Sequence, residues 1–242
     1  YMESQNTSKA YEDGKKALIL NPTDAIINFN MGQLFTHYLI NNDSAIIYFK
    51  KAIDLAPQSP NNIVAYMNIA VIYQTAGNTD EALSYFQKAE EINPNNDVTL
   101  YNYALLLSDL NRNNDALKKI NNAIAINHND PSYYNLKGTL LLSNFSFDEA
   151  EQEFFKAVKL NSKNGEVLYN LGYLYGEKNN HEQSINYYTK AVQVNFDLEA
   201  TLVNRALQYI KLNKVQSACA DLHWAYNLGR SDIKPLMNQY CN

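Results

Sequence analysis

Ala82, Ala116, Ala150, Ser184 and Ala218 stand 34 residues apart, and this interval constrains the fold more than any other feature of the chain. Seven residues after each comes a second small residue: Ala89, Ala123, Ala157, Ala191 and Ala225. Four residues after each comes a large one: Phe86, Ile120, Phe154, Tyr188 and Leu222. Twelve residues before each, the chain is small again, at Ala70, Ala104, Gly138, Gly172 and Ala206. Earlier copies keep the rule through Ala45, Phe49 and Ala52, and through Ala10 and Ala17. Small residues at i and i+7 share one helical face and admit a second helix, while the bulky residue between them fills the groove. The spacing therefore predicts two antiparallel helices per unit and an all-α chain.

Punctuation agrees with that period. "NPTD", "PNND" and "NHNDP" separate units, with Asp130 placed to cap a helix and Pro131 at its first position. "TAGNTDEA" turns the chain within a unit, putting Asp80 and Glu81 in a favourable first turn. The expected units run 1–24 (partial), 25–62, 63–96, 97–130, 131–164, 165–198 and 199–232, with a capping helix over 233–242. Counting back from Ala10 sets Tyr1 inside a first helix, which leads to the expectation that residues precede it. Localisation stays open between the cytoplasm and a periplasm or cell envelope.

The residues "YMNIAVIY…AGNTDEALSYFQKAEEINP" (66–94) and "LYNLGYLY…SINYYTKAVQVNF" (168–196) carry a pattern that resembles the tetratricopeptide repeat (TPR) family. The second departs from it with Ser184 for Ala and Phe196 for Pro, and "LFTHYLINNDSA" holds one extra residue. The resemblance covers essentially the whole chain. It implies a right-handed α-solenoid, a superhelix of antiparallel helix pairs with a concave groove. It also implies a non-catalytic protein–protein interaction module or scaffold, without cofactor.

With the small residue of each first helix numbered position 8, position 6 reads Asn30, Asn68, Asn102, Leu136, Asn170 and Asn204. The chain is rich in Asn, with 35 of 242 residues. Even at that frequency, five Asn in six has a chance well below about one in a thousand against composition alone. By the family's geometry positions 2, 5, 6, 9, 12 and 13 face the groove. An amide both donates and accepts, so it can pair with the backbone of an extended peptide whatever its sequence. The column resembles the asparagine ladder in the TPR superhelix of O-GlcNAc transferases. Leu136 interrupts it, and Asn135, one residue off, is expected to point elsewhere. Gln33, Gln74, Tyr101, Tyr169 and Tyr173 join the column as candidate peptide-binding residues. Two other uses stay open for these side chains: bonds to neighbouring helices, and aromatic packing between them.

Position 2 reads Ile26, Val64, Val98, Ser132, Glu166 and Ala200, without a basic residue, which excludes a carboxylate-clamp ligand such as a chaperone C-terminus. The formal charge of −5 and the absence of a Lys/Arg cluster argue against nucleic acid. No apolar run is long enough for a membrane span. Cys219 and Cys241 could meet across the closing helices as a disulfide or stand as buried thiols. With His223 they make three soft ligands where structural zinc wants four, so no metal is expected. No catalytic motif occurs. The leading expectation is a module binding an extended, largely uncharged peptide. The alternatives are an assembly subunit or homo-oligomer using the convex face, and a regulatory domain of a longer protein.

Overall fold

The computed structural model describes the backbone of residues 2–241 and the side chains of residues 8–241. Among these the chain is all α-helical and forms two compact units, one ending at Ile126 and one beginning at Asn127. The first holds α1 (Met2–Leu20), α2 (Ala25–His37), α3 (Asn42–Leu55), α4 (Asn62–Thr75), α5 (Thr79–Ile92), α6 (Asp97–Asp109) and α7 (Asn113–Ile126). The second holds α8 (Pro131–Ser143), α9 (Phe147–Leu160), α10 (Gly165–Glu177), α11 (His181–Gln193), α12 (Leu198–Lys211), α13 (Val215–Asn227) and α14 (Lys234–Tyr240). Within each unit, helices pack in consecutive pairs, α2 on α3 through α12 on α13, as an α-solenoid requires.

The predicted small-and-large pattern is the core. Ala45, Ala82, Ala116, Ala150, Ser184 and Ala218 are fully buried, as are Phe49, Phe86, Ile120, Phe154 and Leu222. A Cβ built on Gly138 would meet the Phe154 ring at 2.6 Å, and one on Gly172 would meet Tyr188 at 2.6 Å. At these two pairs the missing methyl leaves the space that the aromatic ring fills. Asp24 and Asp130 cap α2 and α8 through their carboxylates, accepting from Ile26 N at 2.8 Å and Ser132 N at 2.9 Å.

Met2–Leu20 is a single unbroken helix. The stretch "MESQNTSK" holds neither Gly nor Pro to stop the helix. The placement of Tyr1 falls outside the described residues.

The turn inside each pair uses one left-handed residue, five before the small residue of the second helix: Ile40, Gly77, Asn111, Phe145, Asn179 and Asn213. Gly and Asn suit this conformation; Ile40 (φ 47°) and Phe145 (φ 61°) do not. Ile40→Asn is expected to stabilise the first unit by about 1 kcal/mol, read as a higher denaturation midpoint at unchanged slope. Phe145→Asn should gain less, because the Phe145 ring also packs edge-on against Phe147 at 6.2 Å.

At the C-terminal end Ile233 is buried, and Leu236, Met237 and Cys241 cover the apolar cluster of α12 and α13. The Cys219 and Cys241 sulfurs lie at 2.07 Å, with Cα atoms 5.5 Å apart. The bond closes a loop of 22 residues. Reduction is therefore expected to lower the stability of this end by about 3 kcal/mol in the chain-entropy account. Denaturant unfolding with and without dithiothreitol measures it, and equal midpoints would refute a stapled cap.

Candidate functional site

The candidate residues stand at repeat positions 5, 6, 9 and 12 of the first helices α2, α4, α6, α10 and α12, and their surroundings differ between units. In the first unit Asn30 is exposed and Asn68 half-buried, and neither side chain hydrogen-bonds another described residue. Asn102 donates its amide to Val98 O of its own helix at 2.9 Å and touches the Met67 sulfur at 3.6 Å. Gln33 pairs with His37 at 2.9 Å, Gln74 donates to Asp109 at 2.8 Å, and Tyr101 is half-buried on α6.

The second unit draws its candidates together. Asn170 Nδ2 donates to Asn135 Oδ1 at 2.9 Å and lies 3.5 Å from Thr139 Oγ1. Asn135 thus joins the column rather than pointing away. Its side chain spans the seam between α8 and α10, where Leu136 cannot. Asn204 Nδ2 donates to the Tyr169 hydroxyl at 2.6 Å. Tyr169 also packs on Tyr188 and Phe196, with ring centroids 5.5 and 5.8 Å away. Part of the column therefore serves helix-to-helix bonding, one of the uses open at the outset. The hydrogen bonds of Asn102, Asn170 and Asn204 use the amide nitrogen, leaving their carbonyl oxygens as acceptors.

Around Asn170 the second unit has a cavity of about 420 Å³. It is lined by Thr139, Leu142 and Ser143 of α8, by Tyr169, Asn170, Tyr173 and Glu177 of α10, by Phe145 of the turn after α8 and by Phe147, the first residue of α9. In the repeat numbering the helical residues are positions 9, 12 and 13 of one first helix and 5, 6, 9 and 13 of the next. Tyr173 is 46% exposed and Phe145 77% exposed, so two rings stand open to solvent. Burial, with the Glu177 carboxylate beside it, raises the Tyr173 hydroxyl above its ordinary pKa. Burial likewise raises Tyr169, with Asp197 adding to the effect. Both tyrosines are neutral donors at neutral pH.

Sequence reasoning missed three parts of this unit. Phe145 in the turn and Phe147 at the start of α9 stand where other copies carry Gly77 and Thr79 or Asn179 and His181, so the departure itself is the signal. Arg205 grips Asp221 with two bonds of 2.7 Å and reaches Thr189 at 2.9 Å. Two repeats earlier, Lys137 pairs with Glu153 at 3.1 Å in the same positions. Among the described residues no three His, Cys, Asp or Glu side chains converge on a metal-sized site. His223 Nδ1 instead meets its own helix at Cys219 O, 2.7 Å away. No described helix is long and apolar enough to cross a membrane.

Comparison with known proteins agrees with this architecture. Family profiles described as tetratricopeptide repeat match residues 23–95, 73–140, 131–164 and 165–198. A TPR repeat-containing protein of Methanocaldococcus jannaschii is 27% identical over 86% of this chain, which spans 39% of that protein's length. Among solved structures, YrrB, a TPR protein with an unusual peptide-binding site, is 25% identical with a TM-score of 0.60. That match covers 75% of this chain and 91% of YrrB. PilF of Pseudomonas aeruginosa matches in fold with a TM-score of 0.76 at 18% identity, covering 90% of this chain and 97% of its own. Repeat spacing, paired helices and profile matches together place this chain in the tetratricopeptide repeat family of protein-interaction modules.

Proposed function

We propose that the chain binds an extended, largely uncharged peptide segment of a partner protein along the Asn-bearing faces of its first helices. The observation that carries this reading is the chemistry of the column: amides at position 6, with open acceptor oxygens on Asn102, Asn170 and Asn204 and without internal partners at Asn30 and Asn68. A side chain held in register and left with unmet hydrogen-bonding capacity suits a ligand that is itself periodic, such as a peptide backbone. The likeness to YrrB, described by its peptide-binding site, adds support from a relative. Scaffolding by simultaneous capture of partners would follow from the same surface.

Asn30 and Asn68 give the cleanest test, because neither has an intrachain bond to lose. In fluorescence polarisation with capped nonapeptides of uncharged sequence, Asn30→Ala/Asn68→Ala is expected to weaken binding about thirtyfold, at roughly 1 kcal/mol per lost amide pairing. Helicity and unfolding midpoint should stay unchanged. An affinity equal to that of the parent chain would sink the column as a peptide reader.

A further inference from the structure

We propose that the cavity beside Asn170 takes a basic side chain, lysine or arginine, carried by the bound segment; this rests on the peptide-binding reading above and names one specificity pocket within it. Four aromatic side chains and one carboxylate line the cavity, and no lysine or arginine does. An aromatic face attracts a cation, and a nearby carboxylate adds direct charge complementarity.

The rest of the chain shows that its own cations are used elsewhere. Lys50 lies over the rings of Tyr73 and Tyr85, Lys119 over Tyr103, Lys156 over Tyr134 and Lys190 over Tyr187, at 4.6–5.9 Å from the centroids. Among the described residues no cation covers Phe145, Phe147, Tyr169 or Tyr173, and Glu177 has no ion-pair partner. Arg230, whose charge is felt at Tyr169, is held in a fork by Asp232 at 2.9 and 3.0 Å.

The equivalent place between α4 and α6 makes the contrast sharper. There position 13 carries Asp109, and Gln74 at position 12 donates to it at 2.8 Å. In the second unit position 12 is Leu142, which cannot donate, so the Glu177 carboxylate, met among the described residues only by the neutral Tyr173 hydroxyl of its own helix, keeps its charge and its remaining lone pairs for a ligand. The residues after the first helix change with it, from Gly77 and Thr79 to Phe145 and Phe147. Phe145 adopts a left-handed backbone that a phenyl side chain disfavours, and its ring stays 77% exposed at the cavity. Strain retained at an open ring is understandable where the ring has a ligand to meet.

The test uses capped nonapeptides, Thr/Ser/Gly throughout except for a central arginine, lysine, norleucine or glutamate, read by fluorescence polarisation on the full chain. The basic peptides are expected to bind about tenfold tighter than norleucine, with glutamate weakest. Glu177→Gln and Tyr173→Ala, both at exposed positions, should each erase most of that preference. Glu182→Gln removes the same charge from an exposed site on α11 and should leave it intact. Norleucine binding as tightly as arginine, or a preference that survives Glu177→Gln, overturns the basic pocket while leaving peptide binding standing. Binding of none of the four overturns both.

Discussion

Asp221→Ala is expected to destabilise the second unit by about 3 kcal/mol, the low end for breaking a buried ion pair. Both side chains keep a trace of solvent contact, 11% for Arg205 and 7% for Asp221, which is why the low end applies. Burial alone would lower the Arg205 pKa, and the hydrogen bonds and charge of Asp221 reverse that to a net rise. Removing the carboxylate strands a guanidinium between α12 and α13. The sign differs for replacing the pair together. At these two positions the α10–α11 repeat carries Leu171 and Tyr187, and the α4–α5 repeat carries Ile69 and Tyr85. Arg205→Leu/Asp221→Tyr copies that solution and should recover the parent stability or exceed it, since apolar replacements of buried pairs are often neutral or better. Urea unfolding of Asp221→Ala and of the double variant decides it. A double variant no better than Asp221→Ala would mean that the pair fixes the packing of the two helices and not merely its own charges.

The 34-residue repeat makes most of this fold legible in the sequence. A 34-residue recurrence of small and large residues states which helix faces touch, and the buried positions Ala82, Phe86 and Ala104 follow from it. Departures from the period were harder to read, and they concentrate at the candidate site. Position 7 is apolar at Met31, Ile69 and Leu171, and charged at Lys137 and Arg205. A charge there makes sense only beside an acid three residues into the facing motif, Glu153 or Asp221, and that partner is 16 residues away. Asn135 was misplaced for a related reason: helical register assigns a face, but a seam between helices can be reached from two adjacent positions. The cavity itself is invisible in the sequence, because it depends on Phe145 and Phe147, at the junction of α8 and α9, whose neighbours in the cavity belong to α8 and α10.

Phe154→Ala should be the other severe substitution, costing about 3–5 kcal/mol through the void left in a fully packed helix pair. Phe154 is completely buried, and its ring occupies the place where a Cβ on Gly138 would stand, 2.6 Å from the ring. The two residues are therefore one packing decision. Gly32 with Phe49 and Gly172 with Tyr188 make the same choice. Ala104 with Ile120 and Ala206 with Leu222 make the other, a methyl facing a branched aliphatic side chain. Ala70 with Phe86 shows that a methyl and a ring can coexist when the whole repeat is built around them. Phe154→Ile alone leaves space in front of Gly138, and Gly138→Ala alone presses a methyl into the ring, so each should destabilise by about 1–3 kcal/mol. Combined, they reproduce the Ala104–Ile120 arrangement, and the double variant should lie well above the sum of its parts. A coupling energy of roughly 1 kcal/mol or more by chemical denaturation is the expected reading. Strict additivity would mean that the α8–α9 spacing adjusts freely to either residue, and that the Gly–aromatic pairing is not what sets it.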